Sequence, residues 1–319
     1  MADLDRLYNE FCEKITLTKA KRDDLIKGRD ALRDDIRDGF SGANRRKPKF
    51  CMQGSFSMKT TINPLPDDEY DLDDGIYLQG YSDDKMEDWP KSADVHQWIV
   101  DAVNGHTKSN PEDKTSCVRV KYAKGYHIDL PSYIIKNDVC YLSTKKSGWQ
   151  ESDPKAFREW FMNYVTNYPL TYGEQLRRTV RYLKAWRDYC KVDLTSIAIT
   201  ILATEHFCSY SGRDDMAVFK TVESIYLALS ECFLCKKPVT PYEELLDETP
   251  ERETLAKLEV LKDTLLFAID EKDEKTATEK LRSVYGDRFP LGKTTNSDSN
   301  STYAATPAPG VIGNDGRSA

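Results

Sequence analysis

The sequence predicts an α+β fold. Helical spacing of apolar residues runs through the first forty residues. Short β-prone runs crowd the stretch from Phe50 to about Leu142, and amphipathic helical patterns follow one another after Pro154. The 319 residues are enough for two modest domains with a proper core. The expected division is 1–150 for the N-terminal helices and a β-rich core, 151–290 for a helical domain, and 291–319 for a disordered tail.

The elements follow in order. Leu4, Leu7, Tyr8 and Phe11 recur at three-and-four spacing, which makes 3–14 a short amphipathic helix. Thr18 caps a longer helix reaching about Gly39, with Leu25, Leu32, Ile36 and Phe40 as its apolar stripe. Strands are expected at 50–55, 71–78, 117–122, 126–130 and 132–142, the last interrupted by the turn Lys136-Asn137-Asp138. A helix near 93–104 is read from Val95, Trp98, Ile99, Ala102 and Val103. Asp153 as N-cap and Pro154 at the first helical position open the helical region. Further helices are expected at 173–190, Ile197–Phe207, 214–235 and 251–285. After Pro290, Thr, Ser, Asn, Gly and Pro replace large apolar residues, and such a tail cannot bury enough surface to order itself.

Composition narrows the function. A net charge of −7, from 46 basic and 53 acidic residues, argues against a general nucleic-acid binder. No apolar run approaches a membrane span, and the N-terminus lacks the apolar core of a signal peptide, so a cytoplasmic protein is expected. The eight cysteines sit mostly in apolar stretches and read as buried thiols. Cys232-x-x-Cys235 with His206-x-Cys208 has the donors for zinc, but helical apolar spacing around Cys232 and Cys235 favours a packed interior.

Chemistry concentrates in Tyr70-Asp71-Leu72-Asp73-Asp74-Gly75-Ile76. On a strand, alternate side chains share a face, so Asp71 and Asp73 point the same way and repel unless a cation lies between them. Hard oxygen donors at that spacing suit Mg²⁺. Asp-x-Asp alone reads more readily as a solvated strand edge before an Asp-Gly turn. The preceding Gln53-Gly54-Ser55 shifts that balance, because a Gly-Ser turn after a strand can aim backbone N–H groups and a hydroxyl at a phosphate. Asp129 lies in a third short apolar run, and three acids on neighbouring strands would make a two-metal phosphoryl-transfer site.

Gly54-Ser55, Asp71-x-Asp73 and the later Asp129 resemble the polymerase-β-like nucleotidyltransferase signature. More closely, the chain resembles the bacterial cGAS/DncV-like nucleotidyltransferases, through Cys117-Val118-Arg119-Val120-Lys121, His127-Ile128-Asp129-Leu130-Pro131, Ser152-Asp153-Pro154-Lys155, Leu183-Lys184-Ala185-Trp186-Arg187-Asp188 and Thr195-Ser196-Ile197. The resemblance runs from about residue 45 to about 205. It implies a polymerase-β-like core with a mixed sheet and an N-terminal spine helix, plus a C-terminal helical domain. It also implies synthesis of a cyclic dinucleotide, purine and cGAMP-like, from ATP and GTP or other nucleoside triphosphates, in bacterial anti-phage (CBASS) signalling through a downstream effector.

The same resemblance implies two Mg²⁺ (or Mn²⁺) ions on Asp71, Asp73 and Asp129. Nucleotide contacts are expected from Gln53, Gly54, Ser55, Arg119, Lys121, Lys184 and Ser196, with Ser152, Asp153 and Tyr133 near the bases. Related enzymes in some phage-defence operons are conjugated at the C-terminus by E1/E2-like proteins, which would fall on Ala319 here. An RNA-tailing or tRNA-end nucleotidyltransferase would use the same acids but needs a basic platform. A non-catalytic nucleotide sensor would have no need of all three.

Overall fold

The computed structural model describes residues 3–66 and 68–294. The expected tail beyond Lys293 and Thr294, including Ala319, lies outside the described residues.

The sheet is organised on β2 (Tyr70–Tyr77). Strands β5 (Tyr126–Leu130) and β6 (Ser132–Lys136), separated only by Pro131, run parallel to β2 along one edge, with Asp71 opposite His127, Asp73 opposite Asp129 and Ile76 opposite Ser132. Strand β1 (Lys49–Gln53) is antiparallel on the other edge and sets Gln53 opposite Asp73. Strand β4 (Val118–Tyr122) adds to β5 and places Arg119 opposite Asp129, while β7 (Val139–Thr144) adds to β6. The short strands β3 (Glu112–Asp113) and β8 (Gly148–Glu151) close the two ends. Both escaped the sequence reading, being too short for a period-two signal. The turn at Asn137–Asp138 divides β6 from β7 as expected, both residues having positive φ.

Alternation along β2 separates its two faces. Tyr70, Leu72 and Ile76 are buried in a cluster with Leu25, Leu32, Ile36 and Phe40 of α2 (Lys19–Gly42) and Val95, Ile99 and Val103 of α4 (Ser92–Val103). Asp74 points to this covered face, fully buried, and Arg33 of α2 grips both its oxygens at 2.6 Å. A buried carboxylate is tolerable only with such a partner. Asp71 and Asp73 face the other way. Thr18 caps α2 by accepting from the Lys21 backbone N–H.

The helical region surrounds α6 (Leu170–Cys190), whose Leu176, Val180, Leu183 and Trp186 lie in a second cluster with α5 (Pro154–Asn167), α7 (Ser196–Glu205), α8 (Asp214–Glu231), α9 (Glu251–Asp270) and α10 (Glu274–Tyr285). The expected boundary at residue 150 does not divide the core cleanly. Helix α1 (Asp5–Ile15) packs Leu7, Tyr8, Phe11 and Ile15 into the helical cluster, although it precedes the sheet in the chain. The expected helix 251–285 is two helices, because Asp273 caps a new one by accepting from the Thr276 backbone N–H.

Candidate active site

The strand expected at 50–55 stops at Gln53. Gly54 then turns with φ +62° into the one-turn helix α3 (Gly54–Met58). A Cβ at Gly54 would sit 2.0 Å from Asp73 Oδ2, so only glycine lets this backbone abut that carboxylate. Gly54→Ala is therefore expected to cost about 1–2 kcal/mol in backbone strain and, by displacing Asp73, about 100-fold in turnover. Urea unfolding and initial rates check the two parts separately.

On the face of the sheet away from α2 and α4, Asp71, Asp73 and Asp129 are neighbours by register. Burial and the facing charges of Asp71 and Asp129 push the Asp73 carboxyl up to about 8. Asp129 is turned aside into a forked pair with Arg119, both bonds 2.8 Å. Gln53 is buried and donates from Nε2 to Tyr133 Oη at 2.9 Å, while its carbonyl oxygen has no partner among the described residues.

The helical region supplies the opposite wall. Lys184, expected as a nucleotide contact, is 3 % exposed, its ammonium donating to the backbone oxygen of Thr60 at 3.3 Å. Burial first, then the nearby Arg187, pulls the Lys184 pKa down to about 8. Ser196 is the first residue of α7. Its cap is Thr195, which accepts from the Ala198 N–H, and the Ser196 hydroxyl accepts from Arg187 at 2.9 Å.

Two hollows meet along a ridge made by Ser55, Asp71, Lys184 and Ser196. The first, about 330 Å³, runs from Gln53, Gly54 and Asp73 to Ser152, Phe157, Arg158 and Lys237. The second, about 510 Å³, is lined by Glu69, Arg119, His127, Arg187 and Asp188 among others. Its His127 Nδ1 lies 2.8 Å from a Glu69 carboxylate oxygen. Phe157, Arg158, Lys237 and Glu69 were not expected at the site from the sequence, and Arg187 entered only within the Leu183–Asp188 motif. They come from α5, α6 and two loops far apart in sequence, and no local pattern marks their convergence.

Three expected contacts lie elsewhere. Lys121 shares a face with Arg119, but its ammonium pairs with Glu112 at 2.7 Å on the outer side of β4 and lines neither hollow. Asp153 spends its carboxylate capping α5, accepting from the Ala156 N–H at 2.9 Å, and leaves the wall to Ser152. Tyr133 is buried against Tyr77, ring centroids 5.0 Å apart, beneath Gln53 rather than in the cleft.

The acids suit a hard divalent cation by donor chemistry, since clustered carboxylate oxygens gain from a positive charge between them. Asp71 and Asp73 face the cleft for that purpose. As placed, Asp129 answers to Arg119, and among the described residues no three His, Cys, Asp or Glu side chains converge on one point. The cysteine arrangement considered for zinc is not assembled either. Helix α8 ends at Glu231, Cys232 is exposed, and Cys235 is buried with its thiol pushed up to about 12 by that burial.

Residues 48–133, from β1 into β6, match the family described as cyclic GMP-AMP synthase DncV-like, nucleotidyltransferase domain. A cyclic GMP-AMP synthase of Escherichia albertii is 29 % identical over 269 residues, 80 % of this chain and 57 % of that protein. The chain shares the DncV fold and, over residues 48–133, is similar to the DncV-like nucleotidyltransferase domain. It spans little more than half the length of that Escherichia albertii relative. Another relative, a c-di-GMP synthase of Roseivirga ehrenbergii, is 26 % identical over 61 % of this chain and 59 % of its own. The DncV fold itself is shared with the Vibrio cholerae di-nucleotide cyclase, a mutant of which was solved with ATP and GTP. The TM-score is 0.76 at 19 % identity, covering 91 % of this chain and 99 % of that one.

Proposed function

We propose that this chain joins two nucleoside triphosphates into a cyclic dinucleotide, purine-containing and cGAMP-like, with release of pyrophosphate. The carrying observation is the pair of hollows that meet at Asp71, Ser55, Lys184 and Ser196, which leaves room for a donor and an acceptor on either side of the acids. Names of the relatives, cyclic GMP-AMP synthase and c-di-GMP synthase, support the same reading.

In this account Ser55, Lys184 and Ser196 hold the donor triphosphate against the ridge. Mg²⁺ or Mn²⁺, two ions held by Asp71 and Asp73 with Asp129 on one of them, would stabilise phosphate charge and acidify the acceptor hydroxyl. Asp129, released by Arg119 when the acceptor enters, orients that hydroxyl and takes its proton. The hydroxyl oxygen bonds to the α-phosphorus while the bond to pyrophosphate breaks. Arg119, freed in exchange, and Arg187 face the second hollow and offset the acceptor's phosphate charge. The linear product then turns in the cleft for the second bond. Its cyclic product would act on a downstream effector in anti-phage signalling.

The test is incubation with labelled ATP and GTP, with and without RNA. A small phosphatase-resistant product formed without RNA is expected. Label appearing only as extension of the RNA would overturn the reading in favour of tailing. Among the described residues no helix is long and apolar enough to cross a membrane.

A further inference from the structure

We propose that the first hollow selects a base presenting keto oxygens, guanine or uracil, over one presenting an amino group, with Lys237 as the specificity-determining residue. The inference rests on the proposed function and deepens it.

The two ends of the hollow differ in chemistry. The palm end carries Asp71, Asp73, Ser55 and Lys184, which suits a triphosphate. At the far end Phe157 and Ile197 offer apolar surface for a base, and the charged groups there are Arg158 and Lys237. Both can only donate hydrogen bonds.

Lys237 is 7 % exposed, and a buried ammonium demands acceptors. Its nearest carboxylate, Glu243, lies 3.4 Å away and is half exposed. The adjacent Glu244 accepts from the backbone N–H groups of Cys235 and Leu246 through Oε1, its Oε2 being buried without a partner among the described residues. The chain holds Lys237 in place by donating its own N–H to the Glu243 carbonyl at 2.9 Å. An ammonium has three donors, so this environment leaves it able to serve a ligand.

Acceptors are scarce at that end. Among the described residues no carboxylate lines the hollow besides Asp71 and Asp73, and the carboxamide of Gln53 lies opposite Asp73 in the β1–β2 register. Thr200 donates its hydroxyl proton to the Ser196 carbonyl at 2.7 Å. Guanine offers O6 and N7 to such donors, and uracil offers O4 as thymine does. Adenine and cytosine turn an amino group toward them. An amino group left facing an ammonium loses its hydrogen bond, which translates to about 10- to 100-fold in affinity.

The experiment measures binding of GTP, UTP, ATP and CTP to the full chain by calorimetry with Ca²⁺ in place of Mg²⁺ to hold back turnover. Wild type is expected to favour GTP and UTP at least tenfold. Lys237→Glu should lower the GTP-to-ATP affinity ratio at least tenfold. Lys237→Met, which adds no charge beside Glu243, should abolish the preference if the Glu variant fails to fold. A wild type that favours ATP overturns the inference. So does a Met variant that keeps the preference, or one that weakens all four nucleotides equally, the mark of a phosphate ligand. In each of those cases nucleotide binding, and the proposed function with it, stands. Failure of all four nucleotides to bind wild type would remove the proposed function itself.

Discussion

Asp73→Asn is expected to lower nucleotidyl transfer by about 10³-fold or more while the protein stays folded. The carboxylate removed is the one most enclosed by other charges, and losing one ligand to a catalytic metal forfeits several kcal/mol of transition-state stabilisation. Asparagine keeps the shape that packs beside Gly54. It also removes a carboxyl that ionises near 3.8 when unfolded but holds its proton up to about 8 in the fold, so at pH 7 the metal-free thermal midpoint should lie at or above that of wild type. Chelator-treated samples followed by circular dichroism, together with pyrophosphate release in Mg²⁺, read both effects. A variant with more than about a tenth of the wild-type rate would remove Asp73 from the chemistry.

Replacing Lys184 by methionine should separate binding from stability in the opposite sense. The ammonium is buried, and its pKa falls from 10.5 to about 8 in the fold. A lysine that binds its proton less tightly when folded opposes folding below about pH 8, and the penalty fades as pH rises toward 10.5. Lys184→Met should therefore raise the stability of the nucleotide-free protein by about 1–2 kcal/mol at pH 7, and the gain should vanish by about pH 10. The same change removes a cation from the ridge between the hollows, and triphosphate affinity should drop about 10- to 100-fold. Stability profiles from pH 6 to 10 and nucleotide titrations at pH 7 test the two signs. Equal stability of the two proteins at pH 7 would mean that Lys184 carries no burial penalty.

Period-two and period-3.6 patterns made much of the palm legible. Leu72 and Ile76 alternate with the acids along β2, and Leu25, Leu32, Ile36 and Phe40 fall on the covered face of α2, as their spacing indicates. Asp71 and Asp73 share one face of β2, and Asp129, from a separate apolar run, stands opposite Asp73 in register. What stayed hidden depends on neighbours that lie far away in sequence. Spacing on β4 puts Lys121 beside Arg119 but says nothing of Glu112, which holds it outside. Helical spacing cannot tell a lysine on a solvated face from one buried over Thr60. Gly54 ends β1 early because its positive φ turns the chain under Asp73, a tertiary demand that β-propensity does not register. Lys237 lies in the segment between α8 and α9, and only the assembled cleft brings it to Phe157 and Arg158.

The most direct test of the central claim is mass analysis of the products formed by purified protein from all four ribonucleoside triphosphates with Mg²⁺ or Mn²⁺, beside the Asp71→Asn/Asp73→Asn double variant. A phosphatase-resistant cyclic dinucleotide, accompanied by pyrophosphate and absent from the variant, is the predicted result. Nucleotides recovered unchanged from the wild type with either metal, although they bind, would contradict it and leave a nucleotide sensor in its place.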